Sequence, residues 1–137
     1  MVLRFTVLGN PKPQSRPRFF RRGNFVRVYD KDKPDKDNFA EVAMYNAPKE
    51  PLTEPLVVNI IFYLKRPKNH YRTGKFAGVL KDTALNYHTR RPDIDNLSKF
   101  VLDSLNKVYW VDDSQIFQLN LTKKYDEEPR TCVEIML

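Results

Sequence analysis

A chain of 137 residues amounts to one domain, long enough to bury a core, and its 41% hydrophobic and 30% charged residues describe a soluble globular protein. The single cysteine, Cys132, excludes an internal disulfide framework and fits a reducing cytoplasm, while no apolar run approaches a membrane span and no signal-peptide pattern opens the chain. The formal charge is +7, yet residues 11–29 and 65–92 together carry +13 and leave −6 for the rest, a segregation that argues for a polyanionic partner.

Val2 to Leu8 alternates, with Leu3, Phe5 and Val7 on one side, and predicts a strand. Residues 9–18 are Pro-rich and exclude a regular element. Phe19, Phe20, Phe25 and Tyr29 interleave with Arg18, Arg21, Arg22 and Arg27, and Gly23-Asn24 supplies a hairpin turn. A charged edge hairpin would look similar. No acid balances these arginines, however, so nucleic-acid contact is the expectation for Lys12, Arg16, Arg18, Arg21 and Arg22. An anionic membrane would suit the same charge, but no basic amphipathic helix is present in the pattern.

Phe39, Val42, Ala43 and Met44 predict a helix over residues 35–46, with an acidic start and a stop at Pro48. Residues 56–64 are almost continuously hydrophobic and predict a central strand covered on both faces. Residues 65–92 show no period. A loop this long in a small domain is usually functional or disordered, and its basic content predicts a DNA-contacting flap that orders on binding, with Lys68, Arg72, Lys75 and Lys81 as contacts. His70 and His88 within it suit phosphate or solvent contact better than metal ligation.

The most informative stretch is Arg91-Pro-Asp-Ile-Asp-Asn-Leu-Ser-Lys99. Pro92 favours an extended entry, and Leu97, Phe100, Val101 and Leu105 then recur at helical spacing to about Asn106. Asp95 is the expected N-cap, so Asp93 and Asp95 project from the mouth of a helix N-terminus, with Lys99 one turn in and leaning back over Asp95. Asp112 and Asp113 follow the helix, and Trp110 is expected to anchor their turn by packing. If the next strand runs beside the Asp93 segment, a third carboxylate joins the first two. Three carboxylates without a nearby His or Cys make a hard-oxygen site suited to Mg²⁺ or Mn²⁺. The plainer reading is that each Asp is a cap or turn residue and that Lys99 with Asp103 is a surface pair. Residues 116–122 and 131–137 alternate again, around an Asp126-Glu127-Glu128-Pro129 turn, and predict a terminal hairpin with Phe117, Leu119, Leu121, Val133, Ile135 and Leu137 inward. The sum is an α+β single domain over residues 1–137: a mixed β-sheet of about four to five strands packed with two main helices.

Arg91-Pro-Asp-Ile-Asp-Asn-Leu-Ser-Lys, Leu102-Asp-Ser-Leu-Asn and Tyr109-Trp-Val-Asp-Asp-Ser-Gln-Ile resemble the signature of the RusA family of Holliday junction resolvases. Gly9-Asn-Pro-Lys-Pro-Gln-Ser-Arg-Pro-Arg-Phe resembles that family's N-terminal motif, and Asn69-His-Tyr-Arg-Thr-Gly-Lys with Tyr87-His-Thr-Arg-Arg-Pro its lysine-rich loop. The resemblance implies an endodeoxyribonuclease acting on branched DNA, the four-way junction, as a homodimer in recombination and repair. It places essential aspartates at Asp93, Asp95 and Asp113 and an essential lysine at Lys99, with Asp112 at an acidic position beside them and a further candidate ligand. Lys107 departs from the family, where many members have Gly after the helix. Two other classes compete. A non-catalytic branched-DNA-binding module would use the acids only as caps and turns. A nucleotide-sugar transferase with an Asp-x-Asp metal site would need a nucleotide-binding βαβ unit, and would not need two basic stretches.

Overall fold

The computed structural model describes residues 1–16 and 18–137. In chain order the elements are β1 (Val2–Leu8), β2 (Arg18–Arg22), β3 (Phe25–Tyr29), α1 (Lys33–Ala43), β4 (Leu56–Lys65), α2 (Ile94–Leu105), β5 (Ile116–Asp126) and β6 (Arg130–Met136). Four strands form one sheet in the order β1-β6-β4-β5; β2 and β3 form a separate two-stranded ribbon. This is a single α+β domain with a mixed sheet and two main helices. Among the described residues no helix is long and apolar enough to cross a membrane.

The expected terminal hairpin does not form. β5 pairs in parallel with β4, and β6 pairs antiparallel with both β4 and β1, so β4 separates β5 from β6. The physical reason is the sequence of β4. It is the most apolar strand and takes the centre, while α2 provides the crossover that a parallel β4–β5 pair requires. Only one face of β4 is covered. Leu56, Val58, Ile60, Phe62 and Leu64 are buried against the helices, whereas Val57, Asn59, Ile61 and Tyr63 are half-exposed on the other face. That open face is stitched by a polar ladder across four strands. Arg4 Nε donates to Glu134 Oε2 (2.7 Å), Asn59 Nδ2 to Glu134 Oε1 (3.0 Å) and Asn120 Nδ2 to Asn59 Oδ1 (2.6 Å).

α2 forms as its spacing predicts. Leu97, Phe100, Val101 and Leu105 are all buried, and each contributes about 1.5–3 kcal/mol on transfer from water. Tyr109 and Trp110, both fully buried, close the core behind it; the Tyr109 hydroxyl donates to the Ala43 carbonyl (2.5 Å), and burial pushes its pKa up to about 12. In α1 the buried face is Lys36, Phe39 and Ala43, while Val42 and Met44 are exposed. Lys36 is admitted because it spans Asp30 and Asp103, joining α1 to α2. Burial pulls its ammonium down, but the two carboxylates outweigh burial and hold it above the ordinary lysine value. Phe117 is exposed because the β4–β5 register shifts where it lies; Leu119 stands opposite the buried Val58 on the core side but stays partly exposed at the sheet edge, and Leu137 is also exposed.

Residues 65–92 are a folded excursion rather than a structureless flap. Short 3₁₀ turns occur at Lys68–His70 and Gly74–Phe76, and Tyr71 bridges Leu80. Arg66 ties its base, donating to the Leu85 carbonyl (2.7 Å) and to Asn86 Oδ1 (3.2 Å). The segment then runs antiparallel to the end of β5 through Tyr87 and Lys124.

Candidate active site

The N-terminus of α2 is where the sequence places its first two acids, with one correction. Asp93, not Asp95, is the N-cap: its backbone is extended (φ −71°, ψ 144°) and the helix begins at Ile94, leaving Asp95 in the first turn. Asp93 makes no side-chain capping hydrogen bond. A carboxylate serving only as a cap would accept from the N–H groups just inside the helix. Here that capacity is unspent, and Asp93, Asp95 and Lys99 are all exposed on the same end of the helix. The helix end contributes a positive partial charge of roughly half a unit beside the two acids.

Two segments hold this end in place. Gln14 N–H donates to the Asn96 carbonyl (2.9 Å), and Ser15 donates to Asp32, so the Pro-rich tract with Lys12 and Arg16 crosses beside the acids. Lys123, from β5, donates through Nζ to the carbonyls of Arg90 and Pro92 (2.8 Å each) and so fixes the segment leading into Asp93. Sequence reasoning missed Lys123; a basic residue near the end of a strand carries no local signal for the loop it will reach.

Asp112 and Asp113 have different surroundings. Asp112 caps the 3₁₀ turn Asp113–Gln115, accepting from Ser114 N–H (3.1 Å) while its own N–H donates to Gln115 Oε1 (2.8 Å); the Ser114 hydrogen bonds hold its carboxyl below the usual value. Asp113 is half-buried, and its Oδ1 accepts from the Trp110 indole N–H (2.7 Å). Burial raises its carboxyl above the usual carboxylate range; the Trp110 hydrogen bond opposes this, and Asp103 and Asp112 add to it. The buried Trp110 thus anchors the turn, as expected, and also points Asp113.

Asp113 lies near Asp103, at the opposite end of α2 from Asp93 and Asp95. Asp95 and Asp103 are eight residues apart, about 12 Å along the helix axis. The Asp93 segment does run beside β5, but at Lys123, seven residues and about 23 Å from Ile116 at the Asp113 end. Among the described residues no group of three His, Cys, Asp or Glu stands close enough to hold a metal ion. Asp93 and Asp95 have the hard-oxygen character that Mg²⁺ or Mn²⁺ prefers, but within one chain Asp113 does not join them.

The predicted DNA contacts divide similarly. Lys12 is paired with Asp35 (2.8 Å), so its charge is partly balanced. Arg16, Arg21, Arg22, Lys68, Arg72, Lys75 and Lys81 are exposed. The side chain of Arg18 lies outside the described residues, and the prediction for it lies there too. In the loop, Arg72 and Lys75 share the ring of Phe76, at 4.1 and 5.2 Å from its centroid. On the ribbon, Phe20, Arg22, Phe25 and Arg27 line a cleft of about 280 Å³. Arg27 was not among the predicted contacts, though its alternation with Phe25 places it on that side. His88 is buried against the Tyr125 ring (4.9 Å), which makes it a packing residue.

The sequence model for the RusA endodeoxyribonuclease family matches residues 9–136, which takes in the Pro-rich tract, both helices and every strand but the first in full. The chain belongs to the RusA endodeoxyribonuclease family. The uncharacterized protein YqaN of Bacillus subtilis (strain 168) is 36% identical over 137 residues, covering 98% of this chain and 94% of that one. The crossover junction endodeoxyribonuclease rusA of Lactococcus phage r1t is 30% identical over 115 residues, covering 80% of this chain and 77% of the phage protein. Within this RusA fold Lys107 adopts φ 67°, the left-handed conformation that a Gly at that position would take without strain.

Proposed function

We propose that this RusA-family chain is a structure-selective endodeoxyribonuclease that resolves four-way DNA junctions by paired symmetric cuts, as a homodimer dependent on Mg²⁺ or Mn²⁺. The observation that carries the reading is the unspent Asp93 carboxylate beside Asp95 and Lys99, at a positive helix end flanked by basic segments.

A phosphodiester resists hydrolysis because its charge repels the nucleophile. Asp93, Asp95 and Asp113 are the residues that would hold the metal, which when bound neutralises the scissile phosphate and activates water. The chain's own groups do the rest. Lys99 stabilises charge that develops on the phosphate or on the leaving oxygen, and the helix N-terminus adds to its field. Lys123 keeps the loop carbonyls of Arg90 and Pro92 fixed, so that Asp93 is presented at a constant position. The basic loop and ribbon bind backbone phosphates, and the junction's shape is read through those contacts. The placement of Asp113 at the far end of α2 supports the homodimer reading. A third carboxylate from a second copy completes a site that one chain leaves short.

The test is incubation of the purified protein with a labelled four-way junction, a fork and a linear duplex, with Mg²⁺ and then with Ca²⁺. Symmetric cuts confined to the junction in Mg²⁺, and lost in Asp95→Asn while binding persists, are expected. Cleavage that Asp95→Asn leaves undiminished rules out this site, and a protein that binds junctions without cutting them in either Mg²⁺ or Mn²⁺ sinks the resolvase reading.

A further inference from the structure

β2 and β3 form a two-stranded ribbon of their own, and their register decides what each face presents. Phe20 stands opposite Arg27, and Arg22 opposite Phe25. Cross-strand partners, and residues two apart along a strand, share a face. Phe20, Arg22, Phe25 and Arg27 therefore alternate on one face, ring beside guanidinium, around the cleft of about 280 Å³. Tyr29 extends the row, its ring edge-on to Phe20 with centroids 6.2 Å apart. Phe25, next to the Gly23-Asn24 turn, is 77% exposed, and Phe20 and Tyr29 are exposed as well.

A surface for phosphate alone needs only cations. Here three aromatic rings stand in water outside the core, and no acid lies within the ribbon. An apolar protein surface would cover the rings but bury the guanidinium groups between them without counter-charge. An acidic surface would meet the guanidinium groups and leave the rings wet. One chemistry answers both: a nucleotide whose base is unpaired. Its flat base stacks on a ring or on a guanidinium plane, and its phosphate meets the cation beside it. A paired duplex hides those base faces within its own stack. A four-way junction offers them where its strands exchange, and a fork offers them on its single strands.

The opposite face of the ribbon is differently made. Phe19 is 69% exposed there, but its neighbours are Val26, Val28 and Arg21, with no second ring. The ribbon is also tied to α2. Asp30, the residue after β3, accepts from Lys36 Nζ (2.5 Å), and the same ammonium pairs with Asp103 of α2 (3.2 Å). Whatever the ribbon grips is thereby held in a fixed relation to the helix that carries Asp93 and Asp95.

We infer that the Phe20–Phe25 face of the ribbon is a stacking site for unpaired nucleobases, and that it engages bases unstacked at the exchange point of a junction. The inference rests on the branched-DNA reading above and deepens it. Backbone phosphates fix the DNA on the protein, and base faces that only branched or single-stranded DNA exposes set it apart from linear duplex.

Trp110 is fully buried, so a tryptophan placed on the ribbon adds a reporter of its own. Phe25→Trp, in an Asp95→Asn background that keeps the DNA uncut, is titrated with oligothymidylate, a four-way junction and linear duplex. The added emission is expected to fall by about half or more at saturation with oligothymidylate or junction, and to change little with duplex. Phe20→Ala with Phe25→Ala is expected to weaken oligothymidylate and junction binding about tenfold or more and duplex binding less than about twofold, with the salt slope unchanged because no charge is removed. Phe19→Ala, a similarly exposed ring on the other face, is expected to change none of these. Phe25→Trp emission that stays level while DNA is bound overturns the inference. So does an equal loss of junction and duplex binding in the double variant, or a loss as large from Phe19→Ala. Self-association of the wild type that the double variant abolishes assigns the rings to a second copy and overturns it too. Oligothymidylate binding needs no cleavage, so quenching in a protein that cuts no junction sustains this inference while the resolvase reading falls.

Discussion

Mixing two inactive variants separates a shared site from one held by a single chain. Take Asp95→Asn and Asp113→Asn, substitutions at opposite ends of α2, with Asp95 about 12 Å from Asp103, the neighbour of Asp113. In either homodimer every site lacks a carboxylate and no cleavage is expected. In a mixed dimer whose sites are shared, one site gathers both substitutions, while the other takes Asp93 and Asp95 from the Asp113→Asn chain and Asp113 from the Asp95→Asn chain, and is intact. Random exchange at equal concentrations makes about half the dimers mixed, each with one of two sites intact, so the nicking rate should return to about a quarter of wild type. Because a mixed dimer makes only one of the two cuts, the product should be a nicked junction rather than two resolved duplexes. The assay is the exchanged mixture on a junction labelled in each strand, run on denaturing gels for nicks and on native gels for resolution. If both variants bind the junction but the exchanged mixture nicks no faster than either alone, Asp113 is not supplied by the second copy and the reasoning fails.

His88 is buried against Tyr125, and burial, then Lys123 and Arg90, hold its imidazole below the ordinary value of 6.5; its neutral form is favoured on folding, so the stability it contributes is present above pH 6.5 and is lost as pH falls through that value toward the folded one. Urea midpoints between pH 8 and pH 5 should fall less steeply in His88→Phe than in wild type, and parallel curves would show that His88 does not drive the loss. Lys107→Gly should raise stability by up to about 1 kcal/mol, the left-handed strain of φ 67° removed less the added flexibility of the unfolded chain; a lower midpoint would mean the lysine side chain stabilises the turn. Arg27→Ala and Lys75→Ala should each reduce the log–log salt slope of junction binding by about 1, and Lys12→Ala by less because Asp35 already balances it; equal effects from all three would remove the distinction between paired and unpaired cations.

Local pattern was legible wherever a single face met the core. The spacing of Leu97, Phe100, Val101 and Leu105 gave α2, and the alternation in β1 and around Gly23-Asn24 gave a strand and a ribbon. Partner choice between strands was not legible. β5 and β6 are joined by a short turn, and sequence proximity favours a hairpin, but the apolar β4 competes for the central position and wins. Nor did an apolar run reveal that β4 is covered on one side only: Val57 and Ile61 read as core residues, while Asn59 between them joins Glu134 and Asn120 in a polar ladder on the open face. Around the candidate acids, what lies close in sequence was legible and what lies far apart was not. Asp93, Asp95 and Lys99 share one helix end because they lie within six positions of one another at the start of α2, whereas the place of Asp113 depends on how the crossover and β5 are laid down.

The shared-site proposal, with its carboxylates split between the two ends of one helix, ties chemistry to assembly. α2 holds Asp93 and Asp95 rigidly at one end, and Trp110 holds Asp113 rigidly at the other, so no rotamer change within the chain can close a gap of this size. Under the shared-site proposal a lone chain on DNA presents two carboxylates and too little charge to retain a metal, and a two-fold dimer presents two complete sites at once, related by the same axis. A four-way junction has that symmetry as well, and productive resolution needs its two cuts to fall at symmetric positions. An enzyme whose sites exist only in symmetric pairs makes the single, unpaired cut a property of damaged dimers, which is the outcome the mixed Asp95→Asn and Asp113→Asn protein would expose.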